Sequence, residues 1–159
     1  MAHPSLRRAP QSAIDALLTA VDGLWSSPSP FDQNGAHSGY RQVLVVSGGV
    51  LRIPEAAPLL ESFAPVREAW LSSIEPGGFI VEHIDGGPHY ERWQIPLAPD
   101  GYLVAGDDAA IVPIEVGVPF RVHQYEWHSV ESPGPGPRVS LVIDRDVVVS
   151  AARTPFQRR

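Results

Sequence analysis

The chain contains neither cysteine nor lysine. Without cysteine there are no disulfides, no zinc–thiolate sites and no thiol nucleophile. Without lysine there is no amine for Schiff-base chemistry, and all twelve basic side chains are arginine. Excess positive charge is missing too. A formal net charge of −6 and a pI near 5.4 give no long-range pull toward phosphate backbones or anionic lipid, so neither nucleic acid nor a membrane surface is expected as a partner. Nor is there an unbroken apolar run of about 18 residues to span a bilayer. Arg7 and Arg8 precede an apolar stretch in the manner of a twin-arginine signal, but Asp15 and Asp22 interrupt it. The expectation is a soluble, cytoplasmic protein.

What remains is ordinary globular material. Hydrophobic residues make up 43% and charged residues 19% of 159 positions, too apolar for a chain disordered throughout and long enough for one domain. It divides into a helix and loop extension (1–40), a β core (41–150) and a polar tail (151–159). Ser12, with Asp15 three residues on, forms a weak capping box for a helix carrying Ile14, Leu17, Leu18, Val21 and Leu24. Residues 26–39 have turn chemistry and read as a loop. A short β-branched run follows at 43–46. Pro58 then opens a second helical stretch with Leu59, Leu60, Phe63, Val66 and Trp70, kinked or split by Pro65. Beyond Ser72 the chain reads as short strands at 79–84, 90–97, 102–105, 110–115, 119–123, 127–131 and 138–149, with Pro133 to Pro137 a rigid hairpin connection. Many short strands at close spacing predict a mainly β sandwich or barrel with helices packed on one side.

His83 and Asp85 stand two apart in an extended segment, so both project from one face. With His128 from a later strand they would form a two-histidine, one-carboxylate set, which leaves positions open on an octahedral ion and suits non-haem Fe(II). Taken alone, the pair also fits a surface histidine beside a turn aspartate. Arg138, ten residues beyond His128, offers a planar fork that a carboxylate fills with two parallel hydrogen bonds.

The order of these pieces resembles the aspartyl/asparaginyl β-hydroxylase family, a branch of the Fe(II)/2-oxoglutarate oxygenase superfamily with a double-stranded β-helix (jelly-roll, cupin-like) fold. Ser72 to Gly77 resembles the family's turn before its first metal strand. His83-Ile84-Asp85 falls at the first ligands, Arg92 to Leu97 resembles the following strand, and Trp127 to Val130 with Arg138 to Asp144 resembles the closing pair of motifs. The likeness covers roughly the last half of the chain. It implies that His83, Asp85 and His128 hold Fe(II) as the catalytic centre, that Arg138 binds 2-oxoglutarate, and that Arg92, Ser72 and Gln94 add contacts to that cosubstrate. O₂ would be the oxidant, succinate and CO₂ the coproducts, and hydroxylation of an unactivated C–H the outcome. With Asp85 filling the carboxylate position, hydroxylation is favoured over halogenation. One departure concerns Glu131 and Ser132, which stand where the family often has asparagine.

The same resemblance points to an amino acid, a peptidyl Asp or Asn, or an amino-acid-derived small molecule as substrate, without choosing among them. His89, Tyr90, Trp93, Arg121, His123, Tyr125 and Trp127 flank the ligand strands and are candidates for lining its pocket. A homodimer is a hypothesis motivated by the thin shell around the β core. Two rival readings stand: a non-enzymatic cupin-like module that binds a ligand or metal, and a metal-dependent isomerase or hydrolase using the same ligands with Zn or Mn.

Overall fold

The computed structural model describes residues 6–26, 37–85, 90–105, 110–123 and 125–147. In chain order these form helix α1 (Gln11–Ala20), strands β1 (His37–Ser47) and β2 (Val50–Leu51), and a short helix α2 (Ala57–Leu60) between 3₁₀ turns at Pro54–Ala56 and Glu61–Phe63. Strands β3 (Val66–His83), β4 (Tyr90–Pro96), β5 (Tyr102–Ala105), β6 (Ala110–Val112), β7 (Phe120–Val122), β8 (His128–Glu131) and β9 (Arg138–Asp146) follow. The strands hydrogen-bond in the order β6-β5-β8-β3-β9-β4-β7, with β1 joined to β2 and β3, and every pairing is antiparallel. This is a curled, mainly β jelly roll: the strand spacing predicted a sandwich or barrel, and the family resemblance implied the jelly-roll form. Among the described residues no helix is long and apolar enough to cross a membrane.

Strand β3 makes the curl. Its first half, Val66 to Ile74, pairs with β9, and its second half, Phe79 to His83, pairs with β8. Between them the strand turns at Pro76-Gly77-Gly78. Gly77 has φ 77°, a left-handed conformation that favours glycine, and a Cβ on Gly78 would run into the Ser38 carbonyl and the Ile74 side chain.

Side-chain alternation then sorts the barrel into two faces. On β9, Val139, Leu141 and Ile143 join Trp93 and Ile95 of β4 in the larger core, against Ile14, Leu17 and Val21 of α1 and Phe63. The helices therefore cover one side, as the sequence suggested. The opposite face of the same strands encloses a smaller apolar cluster of Ile74, Leu103, Phe120, Val122 and Val130, with Tyr40 and Ile80 packed on it. Ser72, Gln94, His128, Arg138, Ser140 and Asp144 are all buried and share that inner face by strand parity. Buried polar groups are costly to desolvate, so a barrel interior lined by six of them marks the part of the molecule shaped by function.

Several boundaries differ from expectation. Helix α1 starts at Gln11 behind Pro10 with no side-chain cap, so Ser12 lies within it, and Asp15 accepts instead from Gln11 Nε2 at 2.9 Å. Leu24 lies beyond the helix and is exposed. The second helical stretch ends at Phe63; Val66 and Trp70 belong to β3, because pairing with β9 takes over beyond Pro65. Strand β1 reaches back to His37, and Ser26 bridges to Gln42, so both ends of the expected 26–39 loop are extended; residues 27–36 lie outside the described residues.

Candidate metal centre

Strand β3 ends at His83 and β8 begins at His128, and the two histidines are cross-strand partners. The pairing depends on a β-bulge. Ile80 opposes Val130 and His83 opposes His128, so two residues on β3, Val81 and Glu82, are set against one on β8, Ser129. The extra residue turns His83 to the inner face that Ile80 occupies, a re-aiming for which bulges next to functional sites are suited. Asp85 follows two residues later. One ligand atom from each of the three side chains lies within 4.8 Å of the others, and the imidazole centroids are 4.4 Å apart.

The ring nitrogens are already assigned by their partners. His83 Nδ1 is 2.7 Å from the Val81 carbonyl and His128 Nδ1 is 3.0 Å from the Glu126 carbonyl. A carbonyl only accepts, so each Nδ1 carries a proton and each Nε2 is left as the coordinating atom. Both Nε2 atoms face Asp85, His83 at 3.7 Å from Oδ1 and His128 at 3.3 Å from Oδ2. Burial works to raise the Asp85 pKa, but the hydrogen bond from His128 and the Arg92 charge outweigh it and hold the carboxyl down at about 2. For His128 burial works downward, and the bond to Asp85 outweighs that too, so the imidazole is raised. The donor set is thus two Nε2 atoms from paired strand ends and one ionised carboxylate just beyond β3, and it fits a first-row divalent ion.

Arg138 lies deeper in the same interior, 2% exposed. Its Nη2 donates to Gln94 Oε1 at 2.7 Å, its Nε has no partner, and burial pushes the guanidinium down to about 10 with only the nearby Tyr40 opposing. The residue is nevertheless held firmly. Its backbone N–H donates to Ser132 Oγ at 3.2 Å, and its aliphatic stem fills the space beside Gly101, where a Cβ would stand 2.6 Å from it. Gly101 adopts φ 83°, so the close approach and the backbone conformation both favour glycine there. Ser132, which departs from the motif of the resembling family, thereby anchors the arginine. Arg92, by contrast, is fully engaged: its Nε and Nη2 fork onto Asp144 at 2.8 Å each, and its Nη1 reaches Asp85 Oδ2 at 2.6 Å.

No family model matches the sequence, and no curated protein does. Solved structures do match in shape. A cupin-2 domain protein of Rhodospirillum rubrum superposes with a TM-score of 0.53 at 12% identity, over 91% of this chain and 76% of that one. A predicted oxalate decarboxylase of Thermotoga maritima gives 0.50 at 17% identity, over 70% and 84%. The chain has the cupin fold. An oxidoreductase of the 2OG-Fe(II) oxygenase family from Burkholderia pseudomallei also matches, with a TM-score of 0.47 at 18% identity over 66% and 65% of the two chains, which is too distant to bear on activity. The motif resemblance to the aspartyl/asparaginyl hydroxylases has no counterpart among these matches.

Within the cupin barrel the remaining sequence candidates separate cleanly. Gln94 and Ser72 are buried on the inner face, Gln94 against Arg138. Trp93 is not at the site: strand alternation puts it opposite Arg92 and Gln94, in the helix-side core with its ring centroid 5.9 Å from Phe63. Arg121, on the same outer parity, pairs with Glu91 at 3.4 Å. His123, Tyr125 and Trp127 are exposed, Tyr90 stacks near Arg92, and His89 lies outside the described residues. Sequence reasoning missed Tyr40, half-buried beside Ser72, Trp70 and both inner arginines, with its pKa raised by burial. No motif surrounds it, and only the β1–β3 register brings it in.

Proposed function

We propose that this cupin is an Fe(II)- and 2-oxoglutarate-dependent dioxygenase that hydroxylates an unactivated C–H of an amino acid, a peptidyl Asp or Asn, or an amino-acid-derived small molecule. The observation that carries the reading is Arg138, a buried cation with an unpartnered Nε in the same barrel interior as the three metal-type ligands. An isolated buried charge is strongly unfavourable, so a guanidinium kept there points to an anion that arrives from outside.

Charge balance supports the same pair of ligands. The inner face carries two arginines, Arg92 and Arg138, and two carboxylates, Asp85 and Asp144. A divalent ion alone would leave this enclosed space with two surplus positive charges. A dicarboxylate dianion restores neutrality, and the strand layout gives it room: His128 opens β8, while Arg138 is tied through its backbone N–H to Ser132 just past the other end of that strand, so the two lie toward opposite ends of β8. Four residues at a rise of about 3.3 Å put roughly 10 Å between those ends, which the arginine side chain and a five-carbon diacid together bridge.

When bound, the metal and cosubstrate supply O₂ activation and oxidative decarboxylation. The chain's own part is binding and orientation. The Val81 and Glu126 carbonyls fix both imidazole tautomers, Arg138 and Gln94 take the far carboxylate, and the apolar cluster of Ile74, Leu103 and Val130 excludes water. No side chain has to act as acid or base. Aerobic incubation with Fe(II) and 2-oxoglutarate is expected to release succinate above the protein-free rate even without substrate, and an amino-acid or peptide substrate is expected to raise that release. Release equal to the protein-free control with every candidate would refute the proposal.

A further inference from the structure

We propose that Asp144, acting through Arg92, positions Asp85 to ligate the ion through one oxygen only, so that Arg92 is a positioning residue rather than a cosubstrate contact. This rests on the metal reading above. Asp85 follows the last residue of β3 and has no ladder pairing of its own, so its carboxylate must be oriented by side chains. Arg92 does this from a fixed place. It sits directly opposite Asp144 across the β4–β9 ladder, where its Nε and Nη2 meet the two Asp144 oxygens at 2.8 Å. Its guanidinium also stands over the Trp70 ring at 5.0 Å and the Tyr90 ring at 5.5 Å. With one edge locked and the plane stacked, the remaining Nη1 takes Asp85 Oδ2 at 2.6 Å.

Asp85 Oδ1 faces His83 Nε2 at 3.7 Å and is free of the guanidinium, while Oδ2, at 3.3 Å from His128 Nε2, is the oxygen that Arg92 holds. Holding Oδ2 on the guanidinium disfavours bidentate coordination and so keeps a coordination position open. The family resemblance assigns Arg92 to 2-oxoglutarate, but its donor edges are already turned to two carboxylates, whereas Arg138 has a donor without partner. Asp144 is 6% exposed and turns both carboxylate oxygens to Arg92.

The test is Co(II) binding to Asp144→Asn by calorimetry and ligand-field absorption, followed by 2-oxoglutarate titration of the Co(II)-saturated protein. Asparagine keeps the shape and removes the charge that locks Arg92. The expected result is Co(II) affinity lower by about 10- to 100-fold, the range for groups that orient a metal ligand, a changed ligand-field spectrum, and little change in 2-oxoglutarate affinity once the metal is saturating. Arg92→Lys, which retains the cation without the fork, is expected to show the same pattern, and serves if Asp144→Asn does not fold. Wild-type Co(II) affinity and spectrum in either folded variant would overturn the inference, as would a loss confined to 2-oxoglutarate. If the unaltered protein takes up no Co(II), the metal reading itself fails and the inference with it.

Discussion

Alanine at His83 or Asp85 is expected to abolish iron-dependent turnover and to strip the protein of metal. Among the described residues three side chains in this cluster are placed to ligate, and removing one leaves two ligands to compete with water for the ion. The loss should exceed the 10- to 100-fold effect expected of outer groups such as Asp144. Folding should survive in His83→Ala, because His83 is half-buried at the end of a strand and its ring bonds only its own neighbourhood. A change in stability of no more than about 0.5 kcal/mol is expected there. Asp85→Ala removes one partner from Arg92 but leaves the forked contact to Asp144, so its stability loss should be modest as well. Metal content after purification with Fe(II), measured beside thermal melting, checks both statements. Full metal content in either variant would refute that ligand assignment.

Arg138→Met is expected to make the ligand-free protein more stable while eliminating 2-oxoglutarate binding. In a merely structural role the arginine would support the fold, and its removal would weaken it. Here the guanidinium is buried against Gln94 with an unpartnered Nε. Methionine keeps the unbranched stem that packs beside Gly101 and deletes the charge. Relief of an uncompensated buried cation is expected to add about 1–3 kcal/mol of stability. Chemical denaturation checks the sign, and calorimetry with 2-oxoglutarate checks the binding. Arg138→Lys should bind the cosubstrate poorly despite its charge, since an ammonium lacks the parallel donors. A destabilised Arg138→Met variant that still binds 2-oxoglutarate would contradict the account on both counts.

Strands β4, β5, β6 and β9 were legible because each carries β-branched or aromatic residues and ends at or near glycine, proline or aspartate. The front of the molecule was harder to read. Phe63, Val66 and Trp70 recur at helical spacing, yet the strand alternation of Ala69 and Leu71 against Trp70 and Ser72 prevails because β9 supplies a pairing edge. Strand β1 was seen only at 43–46, since its first residues, His37 to Gln42, are polar and carry a glycine.

At the site, His83, Asp85, His128 and Arg138 were candidates from residue type and spacing taken together with the family resemblance. The bulge that aligns His83 with His128 could not, because it is a property of pairing between distant segments. Arg92 was legible as a functional arginine, but what it touches was not: its link to Asp144 spans 52 positions and exists only in the β4–β9 register. Trp93 was misassigned for the same reason in reverse. Flanking a ligand strand says nothing about which of its two faces a side chain occupies, and one residue decides it.

One barrel interior is proposed to hold both an iron ion and a 2-oxo dicarboxylate. Anaerobic titration of the metal-free protein with Fe(II), then with 2-oxoglutarate, tests it most directly. The account predicts a weak visible charge-transfer band that appears only when both are present and is lost in Arg138→Met at matched concentrations. Iron uptake with no such band on adding 2-oxoglutarate would contradict it, and would favour a metal-dependent isomerase, hydrolase or binding module on the same ligands.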